Sequence, residues 1–150
     1  MKNKIFSKKE WFLQEIQDIL KNYIKYAHEY QYDDVDDEDL LKTFLNYKDN
    51  DNELIDYIKS DLSQEISDSL TCINGVGGLQ DEQFGIIQFI NCFSDFNLKI
   101  EDFKIIDAKY YFKKPFNYED YDYENLGDFF NDFIEFNAKK ILDEIINFIN

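Results

Sequence analysis

Ser7 and Glu10 stand three residues apart, just ahead of a run of regularly spaced apolar side chains. That is the spacing of a capping box, in which the serine oxygen takes the third helical amide and the glutamate reaches back to the serine's own amide. Phe12, Ile16, Ile19, Leu20, Tyr23, Ile24 and Ala27 then share one stripe at helical period. The spacing predicts a helix over 8–29 with one face to bury. Such a face must meet other apolar surfaces.

Leu40, Leu41, Phe44 and Leu45 predict a short helix to Tyr47, with Asp36 or Asp37 as its cap. "KDNDN" at 48–52 interrupts, and Asp51 or Asn52 caps a third helix carrying Leu54, Ile55, Ile58, Leu62, Ile66 and Leu70. "NGVGG" at 74–78 holds three of the five glycines and marks a loop. Asp81 caps a fourth helix through Phe84, Ile87, Phe89, Ile90 and Phe93, although "FGIIQFI" also fits a buried strand. Over 98–114, Ile100, Phe103, Ile106 and Tyr110 favour helix, whereas "LKI", "FKI" and "YYF" favour short strands. Helix is the preferred reading, ended by Pro115. An acidic loop, "FNYEDYDYENLGD", leads to a long last helix over about 125–149. Its wide face of Leu126, Phe130, Phe133, Ile134, Ala138, Ile141, Leu142, Ile145, Phe148 and Ile149 places it centrally. The expected fold is mostly α, a single-domain bundle of about five to six helices over residues 1–150, with room for a short β element around 84–112.

Charge bounds what such a bundle can bind. The chain carries 16 basic and 32 acidic residues, a net of −16, yet 44% of its residues are hydrophobic, enough to build a core. Every basic residue is lysine. Bidentate recognition of phosphate and guanine leans on arginine, so direct nucleic-acid binding is not expected. A negative surface also repels anionic membranes and draws basic proteins. Six of the lysines lie within residues 1–28, against Glu10, Glu15 and Asp18. Cys72 and Cys92 form no CxxC pair, and free thiols in a reducing cytoplasm are expected. The N-terminus has no signal-peptide core, and no stretch approaches the ~18 apolar residues of a membrane span.

No motif names a reaction. His28 is the single histidine, so a nucleophilic pair with Cys72 or Cys92 needs a meeting in space that no spacing announces. "NGVGG" lacks the phosphate-loop spacings. "DNDNELID" at 49–56 and "DYDYENLG" at 120–127 alternate like calcium loops, but Leu54 and Asn125 stand where glycine is needed, and Ser60 and Asn131 where glutamate is. Neither a catalytic centre, a cofactor nor a metal site is expected.

Two acidic blocks remain. Tyr30, Tyr32, Asp33, Asp34, Asp36, Asp37, Glu38 and Asp39 form the first. Tyr118, Glu119, Asp120, Tyr121, Asp122, Tyr123 and Glu124 form the second, inside a stretch without lysine. Carboxylates steer a basic partner over distance, and tyrosines supply rigid contact area. The expected function is therefore a non-enzymatic inhibitor or immunity protein that occludes the basic nucleic-acid-binding face of a toxin or nuclease. Alternatives are a phage-type DNA mimic acting against restriction or CRISPR systems, and an adaptor whose acidity maintains solubility.

In general character the chain is similar to bacterial toxin-immunity proteins, which are small, acidic, helical and tyrosine-decorated. Helical colicin-immunity proteins present paired tyrosines before a proline. "YYFKKP" at 110–115 has the pair and the proline, with Phe112 and two lysines between them, and no residue role is carried over.

Overall fold

The structure is a computed structural model that describes residues 7–28, 31–47, 49–72 and 82–150. Helices α1 (Lys8–Ala27) and α2 (Asp37–Leu45) come first, followed by α3 (Asn50–Tyr57), a π-helical turn (Ile58–Leu62) and α4 (Ser63–Cys72) in one continuous rod. Helix α5 (Glu82–Cys92) leads into an antiparallel sheet of β1 (Phe103–Ile106), β2 (Lys109–Tyr118) and β3 (Tyr121–Asn125). Helices α6 (Leu126–Phe136) and α7 (Ala138–Ile149) close the chain. The protein is thus mostly α with a small sheet, around one continuous hydrophobic core.

The capping box at Ser7 forms in both directions: Glu10 N–H donates to Ser7 Oγ at 3.1 Å, and Ser7 N–H to Glu10 Oε1 at 3.2 Å. Helix α1 then buries Phe12, Leu13, Ile16, Leu20 and Ile24. Asp36 occupies the cap position of α2 but makes no side-chain bond there; Asp37, Glu38 and Asp39 favour that helix through its dipole instead. Helix α3 starts earlier than predicted, at Asn50, and Asp51 bonds the Asn52 amide rather than capping. Where α5 meets α4, a Cβ on Gly85 would come within 2.9 Å of Leu70 Cδ2, so a larger residue there requires the Leu70 side chain to shift. "NGVGG" and Asp81 lie outside the described residues.

The preferred helix over 98–114 is overturned. Ile100 and Ile106, two members of its supposed stripe, are exposed, while Tyr110 and Phe112, two apart, are buried. Period two wins because those rings face Phe103 and α6 across the sheet. The supposed acidic loop is the end of β2, a tight turn and β3. Pro115 does not end an element; it sits in the bulge where β2 slips register between Tyr111 and Phe116, a place that needs no proline N–H. The single last helix is also corrected. It breaks at Asn137, whose side-chain amide donates to the Phe133 carbonyl at 2.8 Å and to the Tyr118 hydroxyl at 2.9 Å.

Both hairpins turn on two residues of left-handed backbone: Asp107 and Ala108 (φ 52° and 65°), then Glu119 and Asp120 (φ 51° and 67°). Tight hairpins of this hand favour Asn-Gly, and alanine there strains against its own Cβ. Ala108→Gly is therefore expected to stabilise the fold by about 0.5–1 kcal/mol, part of the relief being offset by glycine's greater unfolded entropy. Urea denaturation reads this as a higher midpoint at unchanged slope. A lower midpoint would show that the turn does not bear this strain.

Candidate functional site

The two acidic blocks are seated on different parts of the fold. The first lies ahead of and within α2, which packs on α1 and α3. The second is the β2–β3 turn and β3, which pack on α6.

In the first block Asp33, Asp34, Asp36, Asp37, Glu38 and Asp39 are all exposed. Lys25 Nζ lies 2.7 Å from Asp37 Oδ1 and holds that carboxyl below its ordinary range, so one of the six acids is engaged within the molecule. Tyr32 is not an anchor. It is 6% exposed and packs against Phe44, Tyr47 and His28, and burial pushes its ionisation upward. Its hydroxyl is enclosed with no hydrogen-bond partner among the described residues. The apolar surroundings that bury the Tyr32 ring explain the difference from expectation: it staples the start of the acidic stretch to α2. Tyr30 lies outside the described residues.

The second block divides in two. Tyr123 is buried, and its hydroxyl donates to Asp132 Oδ2 at 2.7 Å; burial, then that carboxylate, push its ionisation well above the ordinary tyrosine value. Tyr123 and half-buried Tyr118 join the ring cluster around Phe129 and fix β3 and the end of β2 to α6. Tyr121 alone of the three points outward, 59% exposed, and stacks at 6.3 Å and 19° on Phe136, itself 48% exposed. Glu119, Asp120, Asp122, Glu124 and Glu135 are exposed around this pair in sequence. A groove of about 600 Å³ runs beside β3, walled by Tyr121, Asp122, Glu124, Asp128 and Asp132.

Phe136 was not expected here. Its signal was present, though: it is an aromatic residue in the same lysine-free stretch that falls off the buried stripe of its helix. Tyr47, at the end of α2, is likewise exposed and was not singled out.

His28 closes α1. Its Nε2 lies 2.8 Å from Glu53 Oε2, and the Tyr23 hydroxyl donates to the same oxygen at 2.9 Å. Burial, then this carboxylate, push Tyr23 up to about 12. The histidine is thereby tied to α3 and faces Phe44. Cys92 is half-buried at the end of α5, where burial pushes its thiol up, and the Cys72 side chain lies outside the described residues. The two calcium-like stretches are not loops: 49–56 lies almost wholly in α3, and 120–127 passes from turn to strand to helix. Among the described residues no group of three acidic, histidine or cysteine side chains is placed to hold a metal. Nor, among them, is any helix long and apolar enough to cross a membrane.

Comparison with protein-family models, with curated proteins and with solved structures finds no match to this chain. What the site can do therefore rests on its own chemistry. An exposed aromatic pair carried by a lysine-free acidic stretch offers flat apolar contact within a chain of strongly negative charge. It suits lysine or arginine side chains, whose stems can lie on the rings while their heads meet acids.

Proposed function

We propose that this protein is a non-enzymatic inhibitor or immunity protein that binds and occludes the basic face of a toxin or nuclease. The observation that supports the reading best is the exposed Tyr121–Phe136 stack within the lysine-free acidic stretch 116–138. Carboxylates alone keep a protein soluble; large aromatic rings left in water beside them add the contact area a partner requires. The acidic surface at α2 supplies long-range attraction, and the β2–β3 hairpin with the end of α6 forms the contact itself. Burial of Tyr32 and Tyr123 leaves Tyr121, with Phe136 beside it, as the exposed anchor of the second block.

The test is association with the basic protein encoded beside this chain, followed by stopped flow at low salt. Glu124→Lys combined with Glu135→Lys is expected to slow association by about tenfold or more and to flatten its salt dependence, because steering is an on-rate effect. Asp33→Lys with Asp34→Lys is expected to slow it less. If the second pair slows association and the first does not, the contact has been placed on the wrong face. If neither does, the acidic-surface reading fails.

A further inference from the structure

We infer that the free edge of β1 is a self-association surface, taking the same edge of a second copy to continue the sheet across a two-fold axis. The sheet order is β1–β2–β3, so among the described residues β1 has one unpaired side. In a two-residue hairpin the closing pair, here Ile106 and Lys109, exchanges both ladder bonds, and the next pair exchanges none. The Tyr110 amide fits that alternation, since it goes to Gln83 Oε1 at 3.4 Å instead of to β1. Its pair-mate Ile105 therefore turns its N–H and C=O outward from the edge. Ile105 and Ile106 are 54% and 51% exposed, and Ile100, just before the strand, is exposed as well. Exposed strand edges are ordinarily blunted by charge, proline or a covering element. The other edge follows that rule, with Asp122 and Glu124 on β3. β1 has Lys104 alone between Phe103 and the two isoleucines.

Charge permits this occupant. Residues 99–114 hold five lysines (99, 104, 109, 113 and 114) against Glu101, Asp102 and Asp107, a local surplus of two positive charges in a chain of net −16. Among contacts that set like surface against like surface, one here opposes two weakly positive hairpins instead of two strongly acidic blocks. The strand is also self-complementary. An antiparallel pair centred on Ile105 sets each Ile105 opposite its counterpart, with both outward backbone groups bonded. Lys104 then stands across from the second copy's Ile106, so no like charges are directly opposed. Strands of four residues place this contact at the small end of interface sizes, below about 1,200 Å², so the dimer is a weak one.

This surface is separate from the acidic contact of the proposed function, and salt acts on the two with opposite sign. Salt weakens acidic-to-basic binding, whereas it screens the repulsion between two chains of −16 and favours the dimer. Sedimentation equilibrium of the full chain should show the mass rising from 18.1 kDa towards twice that value as concentration enters the millimolar range, and rising further with added salt. Ile105→Pro removes the outward N–H without touching a β1–β2 ladder bond and should leave a monomer; Ile106→Lys should do the same through charge. Circular dichroism and urea midpoints confirm that each variant is folded. A chain that stays at 18.1 kDa throughout overturns the inference, and so does a dimer that persists in both folded variants. Partner binding that survives in those variants leaves the proposed function standing in either case.

Discussion

Phe129→Ala is expected to cost the fold about 3–5 kcal/mol, the largest effect of any single substitution here. Phe129 is fully buried, and its ring lies within about 6 Å of six others: Phe96, Phe112, Phe116, Tyr118, Tyr123 and Phe133. Those six come from the stretch after α5, from β2, from β3 and from α6 itself, so the ring is what fastens the sheet to the helices. Truncation loses the transfer energy of the ring, leaves a cavity among rigid aromatic neighbours, and removes edge-to-face contacts. Domains of this size are stable by roughly 5–15 kcal/mol, so the variant sits near the limit of folding. Equilibrium urea denaturation measures it. Phe129→Leu should retain much of the stability, because it keeps most of the apolar volume. A loss below about 1.5 kcal/mol for the alanine variant would mean that the sheet is held elsewhere.

The second large effect concerns binding and should leave the fold nearly untouched. Tyr121→Ala together with Phe136→Ala is expected to weaken the proposed partner complex by about 100-fold or more, corresponding to two anchors of roughly 1.5–2 kcal/mol each. The rings are half-exposed, and Phe136 also meets the half-buried Tyr118 ring at 6.0 Å, so their removal should lower the urea midpoint by a modest amount. The loss should appear in the dissociation rate, in contrast to the association effect of charge reversal. Unchanged dissociation in a folded double variant would leave the aromatic pair as ordinary surface and remove the main support for this contact face. Tyr123→Phe serves as the contrast. It should alter stability through loss of the bond to Asp132, with little effect on a bound partner.

Helices α1 and α2 were legible because each presents a single buried face. Ser7, Phe12, Ile16, Leu20 and Ile24 state α1 in full, and Leu40, Leu41 and Phe44 state α2. Where an element is covered on two sides, one stripe is not enough. Helix α6 meets other helices through Phe130 and Ile134 and the sheet through Phe129, and a search for one stripe passes over Phe129 and Phe136, which stand seven apart on a second face. The sheet was hidden for a different reason. Its hairpins turn on Asp-Ala and Glu-Asp instead of Asn-Gly, so the usual turn signal is missing. The acidic character of the candidate surfaces was plain from composition, but which tyrosines face water depends on contacts between remote segments. Tyr121 and Tyr123 are two residues apart on one strand, yet one is exposed and the other buried.

The π-helical turn at Ile58–Leu62 says something about how this chain tolerates changes in length. Leu54, Ile58, Leu62 and Ile66 are all buried at a strict spacing of four, although a regular helix would carry each step about 40° further round. Take one residue out of the wide turn and the same four side chains fall at offsets of zero, four, seven and eleven, the ordinary stripe of an amphipathic helix. The core therefore does not register the additional residue. Natural variants one residue shorter at this turn would keep all four contacts, whereas the same deletion elsewhere in the rod would swing everything beyond it by about 100°.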